Sequence, residues 1–204
     1  MSEADLPPPA ARFTRMSAPE RRAELVAAAL ACMARGGIQD FTVDRICAKA
    51  GVSRGLITHH FGSMNGLLAA VYGAMYSAAT EAARAPAPGE SRLSVLLDAF
   101  FAPAVFNRSA LTVWLTLWGQ IAVNAELRAA HRAHYARYLD DVALAINEVA
   151  AANGRVVDPE ALARTTICLV DGLGIQHCVD PASMPARRAK AACRRLLVPQ
   201  IGRF

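Results

Sequence analysis

The residues with the most chemical content fall in three places. The stretch from Thr42 to Phe61 collects hydroxyl, guanidinium and imidazole groups at Thr42, Arg45, Ser53, Arg54, Thr58, His59 and His60. Hydrogen-bond donors of this kind suit phosphate oxygens and base edges. Trp114 and Trp118 stand four residues apart, with Tyr135 and Asp171 further along. Indoles on one helix face, with a carboxylate nearby, suit an organic cation through cation–π attraction. Packing in the core is the competing reading of the tryptophans. Asp171 lies in the apolar run Ile167 to Ile175, where a carboxylate needs a partner, either a bound cation or a group across a subunit interface. The third set is His131 with His134, and Cys168, His177 and Cys178. Arg128, Arg132 and Arg137 make the first pair a solvated face, and Cys168 and Cys178 are too far apart for one ion. His59 and His60 diverge by about 100° on a helix, which suits groove and phosphate contacts better than a shared metal. No metal site and no cofactor is expected. No nucleophile–base spacing, glycine-rich phosphate loop or carboxylate pair supports catalysis.

Helices must position these groups. Pro19 after Ser17 opens a helix that runs to Arg35 and stops at Gly36-Gly37. Its apolar face is Leu25, Val26, Ala29, Leu30 and Met33. Thr42 caps a short helix, Val43 to Ala50, which Gly51 ends, and Ser53 caps another from Arg54 to His60. A long helix is expected from Met64 to about Arg84, then a linker at Ala85-Pro86-Ala87-Pro88-Gly89. Helices follow at about 90–106, 110–123, 125–153, 159–179 and 184–198. The fold class is all-α with about nine helices. Residues 1–17 form a flexible tail, 18–64 a three-helix helix-turn-helix unit, and 65–204 a larger helical unit.

The 204 residues are 54% apolar and 19% charged, which is enough for a core and excludes global disorder. The net charge of +5 is uneven: residues 1–64 carry +2, 65–183 carry −3 and 184–204 carry +6. The basic end, Arg187, Arg188, Lys190, Arg194 and Arg195, reads either as a nucleic-acid patch or as the solvated face of a helix that packs Leu196, Leu197 and Val198 inward. Five cysteines without a C-x-x-C pair, and no apolar N-terminal run, fit a cytoplasmic protein with buried thiols. No transmembrane helix is expected.

Short helix, Gly51-Val52-Ser53 turn and second short helix make a helix-turn-helix. The Phe41-Thr42-Val43 entry, Ile46 through Ser53, Leu56 through Phe61 and the following Gly66-Leu67-Leu68 resemble the DNA-binding domain of TetR-family transcriptional regulators. Trp114 through Gln120, His131 through Arg137 and Leu169 through Leu173 resemble, more loosely, the BetI-type subgroup, which responds to choline-like compounds. The resemblance implies a homodimer joined through its last two helices, a palindromic double-stranded operator, and release by a small-molecule effector. It also implies DNA contacts from Thr42, Ser53, Arg54, Thr58, His59 and His60, to which Arg45 and Gly55 of the same segment are added; the expected effector contacts, read from the residue types, are Trp114, Trp118, Tyr135 and Asp171. One departure stands out. Met64 occupies a position where the family usually has a phosphate-binding lysine, and Arg12 and Arg15 of the tail could partly compensate. A ligand-independent DNA-binding activator and a helical metal-binding protein or enzyme are the alternatives.

Overall fold

A computed structural model describes residues 16–81 and 86–204. The expected tail up to Arg15, Ala85 of the linker, the reach of the fourth helix to Arg84 and the Ala79 side chain lie outside the described residues. Nine α-helices and one 3₁₀ turn, with no strand, make up the described residues. The helices are α1 (Ala18–Gly36), α2 (Val43–Ala50), α3 (Gly55–Phe61), α4 (Met64–Glu81), α5 (Arg92–Phe100), α6 (Arg108–Val123), α7 (Ala125–Ala152), α8 (Pro159–Val179) and α9 (Ala186–Ile201); the 3₁₀ turn is Gly37–Asp40. No helix among the described residues is long and apolar enough to cross a membrane.

Caps fix most boundaries. Ser17 and Glu20 form a reciprocal capping box at α1, with Pro19 in the first turn. Thr42, Ser91, Asn107, Asn124 and Asp158 each accept a backbone N–H at the start of α2, α5, α6, α7 and α8. Where caps are absent, the sequence-based boundaries shift. Ser53 makes no side-chain cap: α3 starts at Gly55, and the Ser53 and Arg54 carbonyls accept from Leu56 and Ile57 in a tight turn. The helix expected over 90–106 stops at Phe100. Pro103 has no N–H to donate and pushes Ala102 away from helical geometry, so 101–107 is a series of turns. The last helix begins behind Pro185 and continues through Pro199 to Ile201. A proline in a helix costs about 3 kcal/mol. Here it sits in the final turn, and fully burying Leu197 and Ile201 returns about 1.5–3 kcal/mol each.

One continuous apolar core runs through the molecule, from Leu25 and Met33 of α1, through Leu67 and Tyr72 of α4 and Leu117 of α6, to Ile146, Cys193 and Ile201. The 28-residue α7 is its longest rod and packs against α4, α5, α6, α8 and α9. α4 touches α1 and α3 on one side and α7 on the other. α6 also packs against α1 and the 3₁₀ turn, so two helices lead from the N-terminal motif into the larger bundle.

Candidate functional site

The N-terminal site is built from α2, its turn and α3. Gly51 ends α2 at φ 65° and ψ 35°, a left-handed conformation that a glycine adopts without strain. Its neighbour Val52 then donates back to the Cys47 carbonyl at 3.0 Å. Ile46, Cys47 and Ile57 are buried and lock the two helices together. Turned outward on the other face are Thr42, Arg45, Ser53, Arg54, Gly55, Thr58 and His59, all exposed, with His60 half-buried. Met64 opens α4 half-buried and packs against the core.

Sequence reasoning missed what this face rests on. Asp40 is buried, and its carboxylate takes Arg35 Nε at 2.7 Å and Arg45 Nη1. A Cβ at Gly36 would overlap that carboxylate, so Gly36 leaves room for the pair. Asp44 takes Arg54 at 2.7 Å. Arg22 of α1 donates to the His60 carbonyl at 2.6 Å and lays its guanidinium 4.2 Å from the Phe61 ring centre, which closes the end of α3. Next in the chain, Ser63 caps α4, and a Cβ at Gly66 would overlap the Phe61 carbonyl oxygen. The Asp40 and Asp44 pairings had a signal, being acids beside the Thr42 cap. Arg22 reaches over 38 residues, and no local pattern announces it.

A second site lies inside the larger bundle. A cavity of about 90 Å³ is lined by Trp114 and Trp118 of α6, Asp171 of α8, Tyr76 of α4, Phe100 of α5, Tyr138 of α7 and Phe106. Leu111, Leu115, Val105, Val170, Gly174 and Ile175 complete the wall. Of the four residues singled out from sequence, Trp114, Trp118 and Asp171 come together there. Tyr135 is not in the lining; its ring packs 5.3 Å from that of His131. Tyr138, one turn further along α7, takes the place expected of it.

Burial raises the Asp171 carboxyl from the ordinary 3.8 to about 6, and no neighbouring cation offsets the shift. Burial likewise pushes Tyr76 up to about 12 and Tyr138 well above its ordinary value, so both phenols stay neutral. The cavity is thus an aromatic box with one uncompensated carboxylate. At roughly 10–15 Å³ per water-sized group, it has room for about six to nine heavy atoms.

Behind the cavity, the fully buried Tyr72 hydroxyl and His131 Nδ1 are 2.6 Å apart, and His134 stacks on Tyr76 at 5.9 Å. Burial first, then Arg132 and Arg137 respectively, lower the pKa of His131 and His134. These imidazoles are part of the packing between α4 and α7, not a solvated face. Among the described residues no three His, Cys, Asp or Glu side chains are grouped to hold a metal ion. All five cysteines are free; Cys32, Cys47 and Cys193 are buried, but Cys168 is exposed, contrary to the expectation of buried thiols. The basic end is spent internally in part: Lys190 pairs with Asp98, and Arg194 donates to the Phe204 carbonyl at 2.8 Å and to Ser94 Oγ at 3.1 Å. Leu197 faces inward and Arg187 and Arg195 outward, as for a solvated helix face.

A two-helix reading motif joined to a helical bundle with an internal cavity is the architecture of a helix-turn-helix regulator. Residues 25–71 match the model of bacterial regulatory proteins of the tetR family, and residues 88–202 match the C-terminal model of BetI-type transcriptional repressors. The HTH-type transcriptional regulator BetI of Stenotrophomonas maltophilia is 31% identical over 179 residues, covering 84% of this chain and 88% of its own. A transcriptional regulator of known structure from Pseudomonas aeruginosa PAO1 superimposes with a TM-score of 0.76 at 31% identity, covering 93% of this chain and 94% of its own. A second, from Saccharomonospora viridis and solved in complex with choline, has a TM-score of 0.73 at 24% identity, covering 87% and 95%. The chain belongs to the TetR family of bacterial transcriptional regulators, with a C-terminal region of the BetI type, and is a DNA-binding regulator rather than an enzyme.

Proposed function

We propose that this regulator is a homodimeric repressor, acting in the cytoplasm, which a compact organic cation releases from a palindromic operator. The carrying observation is Asp171: a carboxylate in an aromatic cavity, raised to about 6 by burial and matched by no cation among the described residues. A quaternary or tertiary ammonium ion would supply the missing charge. Its alkyl groups would rest on Trp114 and Trp118, where a desolvated cation–π contact is worth about 2 kcal/mol. The cavity volume suits a cation of choline's size. The Saccharomonospora viridis relative holds choline, which makes choline the first candidate to try.

In this reading residues 18–64 read DNA and residues 65–204 bind effector and dimerise. Thr42, Arg45 and His60 meet the phosphate backbone, while Ser53, Arg54, Gly55, Thr58 and His59 enter the major groove. Dimerisation runs through α8 and α9; the uncharged outer line of α8, Cys168, Gly172, Ile175 and Val179, supports this. Two reading helices about 34–36 Å apart would span successive major grooves. Effector binding favours a conformation with another spacing, and its differential affinity for the two states sets the size of release.

The test is fluorescence anisotropy of the purified protein on DNA from its own promoter region, with and without choline or betaine aldehyde. Salt-sensitive binding that the cation abolishes supports the reading. Binding indifferent to every small ammonium ion removes the effector assignment and leaves a ligand-independent DNA-binding protein.

A further inference from the structure

We propose that Asp44 sets the DNA specificity of this regulator by serving as the resident counter-ion of Arg54. The proposal rests on the α2–α3 face being the DNA-contact surface. Asp44 lies in the first turn of α2 and Arg54 in the turn before α3, and their side chains meet at 2.7 Å across the motif. Both are exposed, at 64% and 75% of their side-chain surface, so the pair sits where DNA arrives and can be exchanged. The other arginine of the segment, Arg45, is held by the buried Asp40. Lys49 is the remaining strong cation between Thr42 and Phe61, and the chain has the uncharged Met64 at the start of α4. Asp40 is buried and shared with Arg35, so Arg54 is the arginine of this face whose acid is exposed and its own.

Counterion release gives this arrangement a measurable consequence. An unpaired arginine that meets a phosphate displaces a condensed cation from DNA, and that release drives non-specific binding. Arg54 exchanges one anion for another: when it turns to a phosphate, Asp44 stays beside the DNA as a negative charge, and the pair together brings no net charge to the interface. The exchange releases almost nothing. A guanine edge offers two acceptors in the fork geometry of a guanidinium, and that hydrogen-bonded gain survives the exchange. Asp44 thus taxes contact with arbitrary DNA more than contact with the right sequence.

The experiment compares wild type, Asp44→Asn, Asp44→Glu, Arg54→Ala and the Asp44→Asn/Arg54→Ala double variant. Each is titrated by anisotropy on an operator selected from a random-sequence pool by the wild-type protein, and on a scrambled duplex, from 50 to 200 mM salt. Asp44→Asn is expected to bind scrambled DNA more tightly and to lose operator-to-scrambled preference. Its logarithmic salt slope on scrambled DNA should steepen by about 0.9 per subunit, or about 1.8 for the dimer, which is about a 12-fold greater loss across that range. Asp44→Glu, which keeps the charge, should restore the wild-type slope, an outcome that a merely structural role for Asp44 would not produce. In the Arg54→Ala background the asparagine substitution should no longer change the operator-to-scrambled preference, because a bare carboxylate repels both duplexes alike. An unchanged slope in Asp44→Asn, while Arg54→Ala still loses operator affinity, overturns the proposal alone. An Arg54→Ala variant that binds the operator as wild type does overturns the assignment of the DNA face, and the proposal with it. Thermal midpoints of all variants identify any effect that comes from unfolding.

Discussion

The reading face and the effector cavity handle charge in opposite ways. On the reading face each arginine finds a carboxylate within the same segment: Arg45 on Asp40 and Arg54 on Asp44. The Arg54 pair lies in water, where such a contact is worth about 0–1 kcal/mol, so it is easily traded for DNA. In the cavity, Asp171 is half-buried against aromatic rings with no cation beside it among the described residues, so ionising it is costly until a cation enters. One region keeps its charges satisfied and exchangeable. The other keeps one charge unsatisfied and waits. Substitutions in the first should alter DNA binding at little cost in stability, whereas substitutions in the second should trade stability against ligand binding.

The largest effect that separates the two regions belongs to Gly66→Ala. Its methyl would overlap the Phe61 carbonyl oxygen, so α3 must shift against α4. A cost of about 3 kcal/mol is expected, at the upper end for overpacking, with operator affinity lost and effector affinity kept. Equal loss of both in titration calorimetry would mean the regions do not separate.

Asp171→Asn comes next and should act in the opposite sense. A carboxyl whose pKa is higher folded than unfolded carries a penalty absent below pH 3.8 and fully present above about 6. Removing it at pH 7 should raise stability by about 3 kcal/mol in denaturant melts, at 1.36 kcal/mol per pH unit. Cation binding should vanish in the same variant. In the wild type, cation affinity should fall about tenfold from pH 7 to pH 5, as the carboxylate takes up its proton. A flat pH profile would remove Asp171 from the site.

Arg54→Ala should weaken operator binding by about 1–3 kcal/mol and leave the thermal midpoint nearly unchanged. A large drop in that midpoint would make Arg54 a structural residue. Smallest is Arg22→Ala, which removes the donor to the His60 carbonyl and the stack on Phe61. About 1 kcal/mol of stability should go, with faster hydrogen exchange confined to the end of α3. Uniform acceleration across the chain would show that Arg22 supports the whole core instead.

How much could be read in advance follows the same division. The helix-turn-helix is made by contacts a few residues apart, Thr42 to Arg45 and Cys47 to Val52, so caps and a glycine mark it in the sequence. The cavity is made by residues from Tyr76 to Ile175, on five helices and the turns after Phe100. Trp114, Trp118 and Asp171 stood out because their types are unusual in their surroundings. Tyr76, Phe100 and Tyr138 did not, since an aromatic ring in an apolar helix looks the same whether it faces a neighbour or a void. Tyr138 rather than Tyr135 lines the cavity because of helix phase. The buried stripe Tyr138, Val142, Ala145 and Val149 fixes that phase and turns Tyr138 inward. Pro103 was a visible stop signal for the helix expected over 90–106, overridden by the apolar run around it.

The sequence contains two tryptophans, and both stand on the cavity wall. All indole emission of the protein therefore originates beside the site where the effector is proposed to sit. A quaternary ammonium ion arriving against those rings would change the polarity around both emitters at once. An unlabelled sample then reports its own occupancy as a shift in emission maximum, with no contribution from the DNA-reading helices.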